Sequence, residues 1–240
     1  MGMPITIEIT DNAKEADLNK VFDYFRRVDV QFSPYKPNSE LSKVNDGLPR
    51  EKWSPEFVEV FELCEQTKMQ TSGYFNIEHN GKLDPSGLVK GWAIQKAAEQ
   101  LLGAGFTNFY IEAGGDIQAH GVYMPDTAWQ IGIRNPFNIE EIVKVISIRG
   151  KGIATSGTYI RGQHIYDPHH GFSDIRHVKS LTVIGPNVYE ADRYATAAFA
   201  MGESGIAFIE GLPGFEGYQI DDNKIATFTS GFEDYVATAD

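Results

Sequence analysis

The chain has 240 residues, of which 42% are hydrophobic and 22% charged, as is typical of a soluble globular protein. Its formal net charge is -12 and its lysines and arginines form no run, so a phosphate backbone would be repelled and we expect no nucleic-acid partner. One cysteine excludes an internal disulfide, and no apolar segment is long enough to span a bilayer. Because no export signal is recognisable, the sequence predicts a cytoplasmic protein without a membrane anchor.

The first part of the chain predicts a strand followed by helices. Residues 4–10 alternate between apolar and polar, as in a half-buried strand, and residues 12–30 have the period of an amphipathic helix. Ser39 begins a short helix, and Ser54 is a candidate N-cap of a longer one. After a loop or short hairpin, residues 84–102 again have helical periodicity.

The second part of the chain predicts mainly short strands. Residues 106–121 indicate a strand, a Gly-Gly turn and a second strand, and further short strands follow. Residues 190–202 predict a helix, and a hairpin closes the chain. Because helices and strands are mixed and no regular βαβ repeat is visible, the predicted fold class is α+β, with several antiparallel strand pairs. No linker divides the chain, so we expect a single domain over residues 1–240.

The first segment with candidate chemistry runs from Asp84 to Gly91, at the start of a predicted helix. Gly87 and Gly91 each weaken a helix by about 1 kcal/mol relative to alanine, so their presence requires a reason. They would let backbone N–H groups approach a phosphate that Lys90 neutralises. Alternatively, they serve close packing, with Asp84 near the N-cap. The Walker A pattern is absent, and the segment taken alone favours the packing role.

Two further segments contain glycines or oxygens that suit a ligand. Gly114 and Gly115 lie between two predicted strands, where they favour either a tight hairpin or a close approach of the backbone to a ligand. Asp192 and Thr196 are four residues apart on a predicted helix, so their oxygens share one face. Such oxygen ligands suit Mg²⁺, although helix-dipole compensation by the aspartate and a backbone bond from the threonine would give the same pattern.

A histidine cluster forms the last candidate. His164, His169 and His170 lie within seven positions. A histidine titrates near neutral pH and can take a proton from a hydroxyl nucleophile, and His164, flanked by strand-like residues, is the candidate. A zinc site is the alternative, although no cysteine accompanies the histidines and their spacing fits no standard motif. His169 and His170 are most simply exposed turn residues.

Taken together and in order, these segments resemble a known family. The motifs of the ApbE family of FAD:protein FMN transferases are similar to FSPYKPNSELSKVN, TSGYFN, DPSGLVKGWAIQKA, IEAGGDIQAHG, ATSGTY, HIYDPHHG and ADRYATAAFAMG. The resemblance covers essentially the whole chain and implies a bilobal α+β flavin-transferase fold. It also implies Mg²⁺-dependent cleavage of FAD, transfer of FMN to a Ser or Thr of an acceptor flavoprotein, and release of AMP. The family's usual lipoprotein signal is missing, which implies a cytoplasmic member.

The same resemblance assigns roles to individual residues. Its Mg²⁺ ligands map onto Asp192, Thr196 and the main-chain oxygen of Gly87. Its FAD contacts map onto Met1, Tyr35, Tyr74, Phe75, Asn76, Asp84, Lys90, Gly114 and Gly115. The aromatic rings among these contacts are expected to stack on FAD, and the metal ligands are expected to lie beside the Asp84 segment. The histidine before the family's Asp-Pro maps onto His164, which joins the flavin contacts and is expected to accept the proton of the acceptor hydroxyl.

Three other functions remain open at the level of sequence. An FAD pyrophosphatase would use the same metal and flavin sites but transfer to water, releasing FMN and AMP. A non-catalytic flavin-binding protein needs no polarising metal, so the intact aspartate and threonine pair argues against it. A histidine-metal hydrolase would contain zinc and no yellow flavin. The sequence departs from the family pattern at Pro85-Ser86 and at His169-His170. It therefore leaves open whether the family's phosphate contacts and its catalytic turnover are retained.

Overall fold

The computed structural model describes residues 2–158, 165–170 and 173–237. The helices in these ranges are α1 (Glu15–Phe32), α2 (Glu40–Asn45), α3 (Pro55–Gln70), α4 (Ser86–Gly103), α5 (Val188–Ala200) and α6 (Gly205–Glu210). The strands are β1 (Ile5–Ile9), β2 (Glu78–His79), β3 (Lys82–Leu83), β4 (Phe109–Ala113), β5 (Asp116–His120), β6 (Trp129–Asn135), β7 (Asn138–Ile148), β8 (Gly152–Gly157), β9 (Tyr166–Asp167), β10 (Ser173–Asp174), β11 (Val178–Gly185), β12 (Glu216–Asp221) and β13 (Ala226–Phe228). The sequence did not predict α6, whose six residues are too few to show a helical period.

Seven strands form one antiparallel sheet in the order β1-β4-β5-β8-β11-β12-β13. The predicted Gly-Gly turn joins β4 to β5, and the predicted closing hairpin joins β12 to β13. An antiparallel sheet with helices packed on it is the α+β class, so the predicted fold class is confirmed.

Hydrophobic cores lie on both faces of this sheet. On one face, α1, α3 and α4 pack with β4, while α5 and α6 pack with β8 and β11. On the other face, the β6–β7 hairpin covers Ile117, Ile153 and Ile220. Neighbouring residues of β8 serve different cores, because side chains alternate along a strand: Ile153 faces the hairpin, and Ala154 faces α5.

The two serines at predicted helix starts have the expected role. Ser39 accepts a hydrogen bond from the Ser42 N–H at 3.0 Å, and Ser54 accepts one from the Phe57 N–H at 3.2 Å, so both serines cap helices. The one cysteine, Cys64, is buried. In the described ranges, no helix combines the length and apolar character that a membrane crossing requires.

The start of α5 is fixed on the sheet. Asn187 caps this helix by accepting a hydrogen bond from the Glu190 N–H at 2.9 Å, and Gln118 of β5 accepts one from the Val188 N–H at 2.8 Å. A Cβ on Gly152 of β8 would lie 1.9 Å from the Val188 nitrogen, so only glycine lets the strand run this close to the helix. The first turn of α5 is therefore held against β5 and β8.

Candidate active site at the crossing of two helices

The α4 and α5 helices cross at Gly91. The Gly91 N–H donates a hydrogen bond of 2.7 Å to Oδ2 of Asp192. A Cβ on Gly91 would lie 2.6 Å from the Cβ of Asp192 and 2.8 Å from the main-chain oxygen of Val188, separations that real side chains do not tolerate. Glycine is therefore required for the approach of the two helices, which is the packing role that the sequence favoured.

Gly87 makes a second contact one turn earlier in α4. The Thr196 hydroxyl donates to the main-chain oxygen of Gly87 at 3.1 Å, and a Cβ on Gly87 would lie 2.9 Å from Cγ2 of Thr196. Gly87 and Gly91 are four residues apart in α4, and Asp192 and Thr196 are four apart in α5. Two glycines on one helix therefore face two oxygen-bearing residues on the other. The two segments that were expected to lie together do so.

Asp192 is a buried carboxylate beside a lysine. It is 3% exposed, and its Oδ1 lies 3.7 Å from Nζ of Lys90. Burial raises the pKa of Asp192 well above the usual carboxyl range; Lys90 opposes this shift, and the neighbouring Asp116 adds to it. Burial therefore disfavours the charged form of this carboxylate, and Lys90 supplies the positive charge that opposes this effect.

The β4–β5 hairpin supplies a second buried carboxylate. Gly114 and Gly115 have φ values of +59° and +93°, as the two central residues of a type I′ turn require, so the predicted tight hairpin is confirmed. Asp116 follows directly and is fully buried; its Oδ2 lies 2.6 Å from Nζ of Lys90, and its Oδ1 accepts the Thr155 N–H at 3.2 Å. Sequence reasoning did not select Asp116, although its position directly after the glycine pair was visible.

Three oxygen donors lie within one turn of the helix crossing: the Gly87 main-chain oxygen, the Thr196 hydroxyl and the Asp192 carboxylate. Octahedral Mg²⁺ holds oxygens at about 2.0–2.1 Å, which places adjacent ligands about 2.9 Å apart. The 3.1 Å between the Gly87 and Thr196 oxygens is close to that separation, so these two oxygens are spaced as adjacent ligands of the ion would be. Among the described residues, no group of three or more His, Cys, Asp or Glu side chains is arranged to hold a metal, so the fit depends on main-chain and hydroxyl oxygens.

Asp84 lies directly before Pro85, the N-cap residue of α4. Its Oδ1 accepts the Ser86 N–H at 3.0 Å and also the Ser86 hydroxyl. The Leu88 and Val89 N–H groups both donate to the main-chain oxygen of Pro85 at 3.0 Å. The atypical Pro85-Ser86 pair therefore forms a regular helix start, with the exposed Asp84 carboxylate beside it. The expected position near the N-cap is confirmed, and contact of Asp84 with FAD stays a prediction.

The residues assigned to the rings of FAD differ in exposure. Tyr35 is 92% exposed, in the turn that follows α1. Tyr74 and Asn76 are half-buried, and the Tyr74 ring centre lies 4.4 Å from that of His169. Phe75 is 2% exposed and belongs to the helical core. Its ring has no exposed face, which corrects the expectation that it stacks on FAD.

The described histidines of the cluster lie in an exposed turn, as the sequence indicates. His169 donates through Nε2 to the Ser72 main-chain oxygen at 2.9 Å, whereas Nδ1 of His170 lies 2.7 Å from an aspartate of its own turn. Because the two rings have separate partners, they do not share one ligand position. His164 and Met1 lie outside the described residues, so their roles stay predictions.

Arg193 ties α5 to the end of α3. It is 6% exposed, and its guanidinium donates to Oε2 of Glu190 at 2.6 Å, to Oε1 of Gln70 at 2.6 Å and to Oγ1 of Thr67 at 3.2 Å. Gln70 is the last residue of α3, just before the loop that contains Tyr74. The arginine therefore fixes α5, which carries Asp192 and Thr196, relative to the loop that contains Tyr74.

Replacing Arg193 by methionine is expected to lower the free energy of unfolding by about 2–4 kcal/mol, because buried acceptors lose a charged donor. The control is Arg26→Met, since Arg26 pairs with Asp23 on the exposed surface of α1, where ion pairs contribute little. Urea denaturation of both variants measures the difference. Equal stability of the two variants would contradict a structural role for Arg193.

Relatives in sequence cover part of the chain. A model of the ApbE family matches residues 1–81 and 78–218. The FAD:protein FMN transferase of Vibrio cholerae serotype O1 is 30% identical over 166 residues, which are 65% of this chain and 48% of that protein. The corresponding protein of Haemophilus influenzae is 33% identical over 131 residues, which are 50% of this chain and 38% of that protein. The chain thus matches less than half of the length of these curated relatives.

Solved structures are similar over nearly the whole chain. The flavin transferase ApbE from Vibrio cholerae has a TM-score of 0.85 and 23% identity, covering 98% of this chain and 96% of that one. The ApbE protein from Thermotoga maritima has the same TM-score and coverage at 20% identity. These similarities establish the fold. Since the family model in addition spans most of the sequence, this chain belongs to the ApbE family.

Proposed function

We propose that this protein is an Mg²⁺-dependent FAD:protein FMN transferase that attaches FMN to a Ser or Thr of an acceptor flavoprotein. The acceptor hydroxyl oxygen bonds to the phosphorus of the FMN half of FAD. The bond from that phosphorus to the bridging oxygen breaks, and AMP leaves with that oxygen. Family membership supports the proposal, as do the names of the curated relatives.

The observation that carries the proposal is the meeting of the Gly87, Asp192 and Thr196 oxygens beside Lys90. The pyrophosphate of FAD and this protein are both negatively charged, so binding requires local positive charge. Lys90 supplies part of it. The Gly87, Asp192 and Thr196 oxygens would hold Mg²⁺, which when bound offsets charge on the transferring phosphoryl group.

The remaining assigned residues orient the dinucleotide. Tyr35 is exposed and Tyr74 is half-buried, so we assign to these two residues the stacking on the rings of FAD. Asp84 lies just before α4, the helix that carries Lys90. The Gly114–Gly115 turn directly precedes β5, which begins with Asp116, the ion-pair partner of Lys90. Their part is to limit how the pyrophosphate lies against α4.

His164 is assigned the proton of the acceptor hydroxyl. His164→Ala is expected to slow FMN transfer by about 10²–10⁴-fold while FAD binding is retained, because the imidazole takes up a proton and does not anchor the dinucleotide. Single-turnover transfer, followed by mass spectrometry, and FAD affinity, measured by equilibrium dialysis, separate the two effects. Full transfer by the variant would remove His164 from the reaction.

The test of the function is incubation of the protein with FAD, Mg²⁺ and a candidate cytoplasmic flavoprotein. Mass spectrometry should find the acceptor heavier by FMN less one water, on a Ser or Thr, with one AMP released for each FMN attached. Free FMN and AMP without a modified acceptor would instead establish an FAD pyrophosphatase. FAD that stays bound and intact would indicate a flavin-binding protein.

A further inference from the structure

Lys90 lies between two buried carboxylates but is closer to one of them. Its Nζ is 2.6 Å from Oδ2 of Asp116 and 3.7 Å from Oδ1 of Asp192. The two aspartates are 0% and 3% exposed, so water screens neither contact well. One ammonium therefore serves two carboxylates, and the nearer one belongs to a residue that the proposed function leaves without a role.

The two carboxylates are held in different ways. Asp116 begins β5, and its Oδ1 accepts the N–H of Thr155 in the neighbouring strand β8. This carboxylate is thus fixed by the central sheet. Asp192 lies on α5, and its Oδ2 accepts the Gly91 N–H across the helix crossing. Each aspartate therefore has one oxygen bound by a backbone amide and another oxygen near the lysine. The two carboxylates also lie against each other, so Lys90 is the positive charge between two neighbouring negative ones.

A lysine ammonium and a divalent cation compete for the same carboxylate oxygen. The ammonium is a compact charge on a flexible stem, so Lys90 could reach Asp192 if nothing held it elsewhere. If the Lys90 ammonium contacted Asp192, it would occupy the position of the ion and would also repel the ion. This repulsion is strong where water is excluded. Something must therefore keep Lys90 near this carboxylate but out of contact with it.

We propose that Asp116 is a positioning residue that draws the Lys90 ammonium away from Asp192. The Asp192 carboxylate thereby stays available to a divalent cation, while Lys90 remains close enough to neutralise a phosphate. Asp116 acts through Lys90 rather than on the ion or the substrate. The inference rests on the proposed function, because it takes the ion site at Asp192 from it.

The test uses three variants of the full chain: Asp116→Asn, Lys90→Met and the double variant. Asparagine keeps an oxygen for the Thr155 N–H but loses the charge that holds the lysine. Mg²⁺ affinity is measured without FAD, by calorimetry and by the Mg²⁺-dependent rise in melting temperature. Asp116→Asn is expected to weaken Mg²⁺ binding about tenfold when Lys90 is present, and by less than about twofold in the Lys90→Met background.

The double variant separates positioning from a direct effect of charge. If Asp116 attracted the ion through space, its loss would weaken Mg²⁺ binding equally in both backgrounds, and that result would overturn the inference. Unchanged affinity in the single variant would overturn it as well. Lys90→Met alone is expected to bind Mg²⁺ at least as tightly as the wild type. Weaker binding would show that the lysine does not compete with the ion, even if Asp116→Asn fails to fold.

The transfer assay distinguishes failure of the inference from failure of the proposed function. A wild-type protein that modifies its acceptor in an Mg²⁺-dependent way, combined with equal effects of Asp116→Asn in both backgrounds, would refute only the role of Asp116. A wild-type protein that binds no Mg²⁺ without FAD would also refute that role, and transfer would still decide the function. Absence of both Mg²⁺ binding and transfer would overturn both proposals.

Discussion

Gly91→Ala is expected to lower the free energy of unfolding by about 1–3 kcal/mol and to abolish Mg²⁺-dependent transfer. The new Cβ would lie 2.6 Å from the Cβ of Asp192 and 2.8 Å from the main-chain oxygen of Val188. Because one of these atoms is backbone, no side-chain rotation relieves the overlap, and α4 and α5 must move apart. That movement separates the Asp192 carboxylate from the Gly87 oxygen. Chemical denaturation and the FMN-transfer assay measure the two effects.

The matched control lies at the other end of the same helix. A Cβ on Gly103 would meet nothing within 4 Å, and alanine favours a helix by up to about 1 kcal/mol over glycine, so Gly103→Ala should keep or slightly gain stability with full transfer. Gly87→Ala should be intermediate, because its 2.9 Å contact is with Cγ2 of Thr196, a side-chain atom. If Gly103→Ala destabilised the protein as much as Gly91→Ala does, the loss of stability would not be caused by the overlap at the helix crossing. It would then be a general effect of replacing glycine in this helix.

The helix crossing shows what the sequence could predict. Gly87 and Gly91 have a spacing of four, as do Asp192 and Thr196, and this spacing places each pair on one helix face whatever the tertiary fold. Of the two roles weighed as alternatives, close packing is confirmed, and the phosphate-site role stays a prediction. Local patterns of this kind also predicted the helix caps and favoured a tight hairpin at the glycine pair, since each depends on residues near in sequence.

Contacts between distant elements were not predictable in the same way. Asp116 is adjacent to Lys90 only because the order of strands in the sheet places β5 under α4, and no periodic pattern encodes that order. Arg193 likewise finds its acceptors on α3. The position of Phe75 was unpredictable for a related reason. An aromatic residue in a loop can either contact a ligand or pack in the core, and the sequence does not distinguish the two. Phe75 lies in the core because α4 packs on its loop.

Asp192→Asn is expected to stabilise the protein without Mg²⁺ at neutral pH while removing transfer. Burial raises the pKa of Asp192 despite the opposing Lys90 charge, so above the usual carboxyl pKa the charged form is less favourable in the folded protein than in the unfolded chain. Asparagine keeps an oxygen for the Gly91 N–H and removes the charge. The melting temperature should therefore rise, by about 2–8 °C, as measured by calorimetry in the presence of a chelator.

The stabilisation by Asp192→Asn should depend on pH in one direction. As the pH falls through the raised pKa, Asp192 takes up a proton in the folded state, the unfavourable charge disappears, and the wild type gains stability relative to the variant. The difference should therefore be largest above the raised pKa of Asp192 and vanish below the usual carboxyl pKa of about 3.9. Mg²⁺ should reverse the order at neutral pH, because it is expected to stabilise only the wild type. A variant that melts below the wild type in chelator, at a pH above the raised pKa, would contradict this prediction. It would show that Lys90 already compensates the negative charge of Asp192, so that charge would give no reason to expect a bound cation.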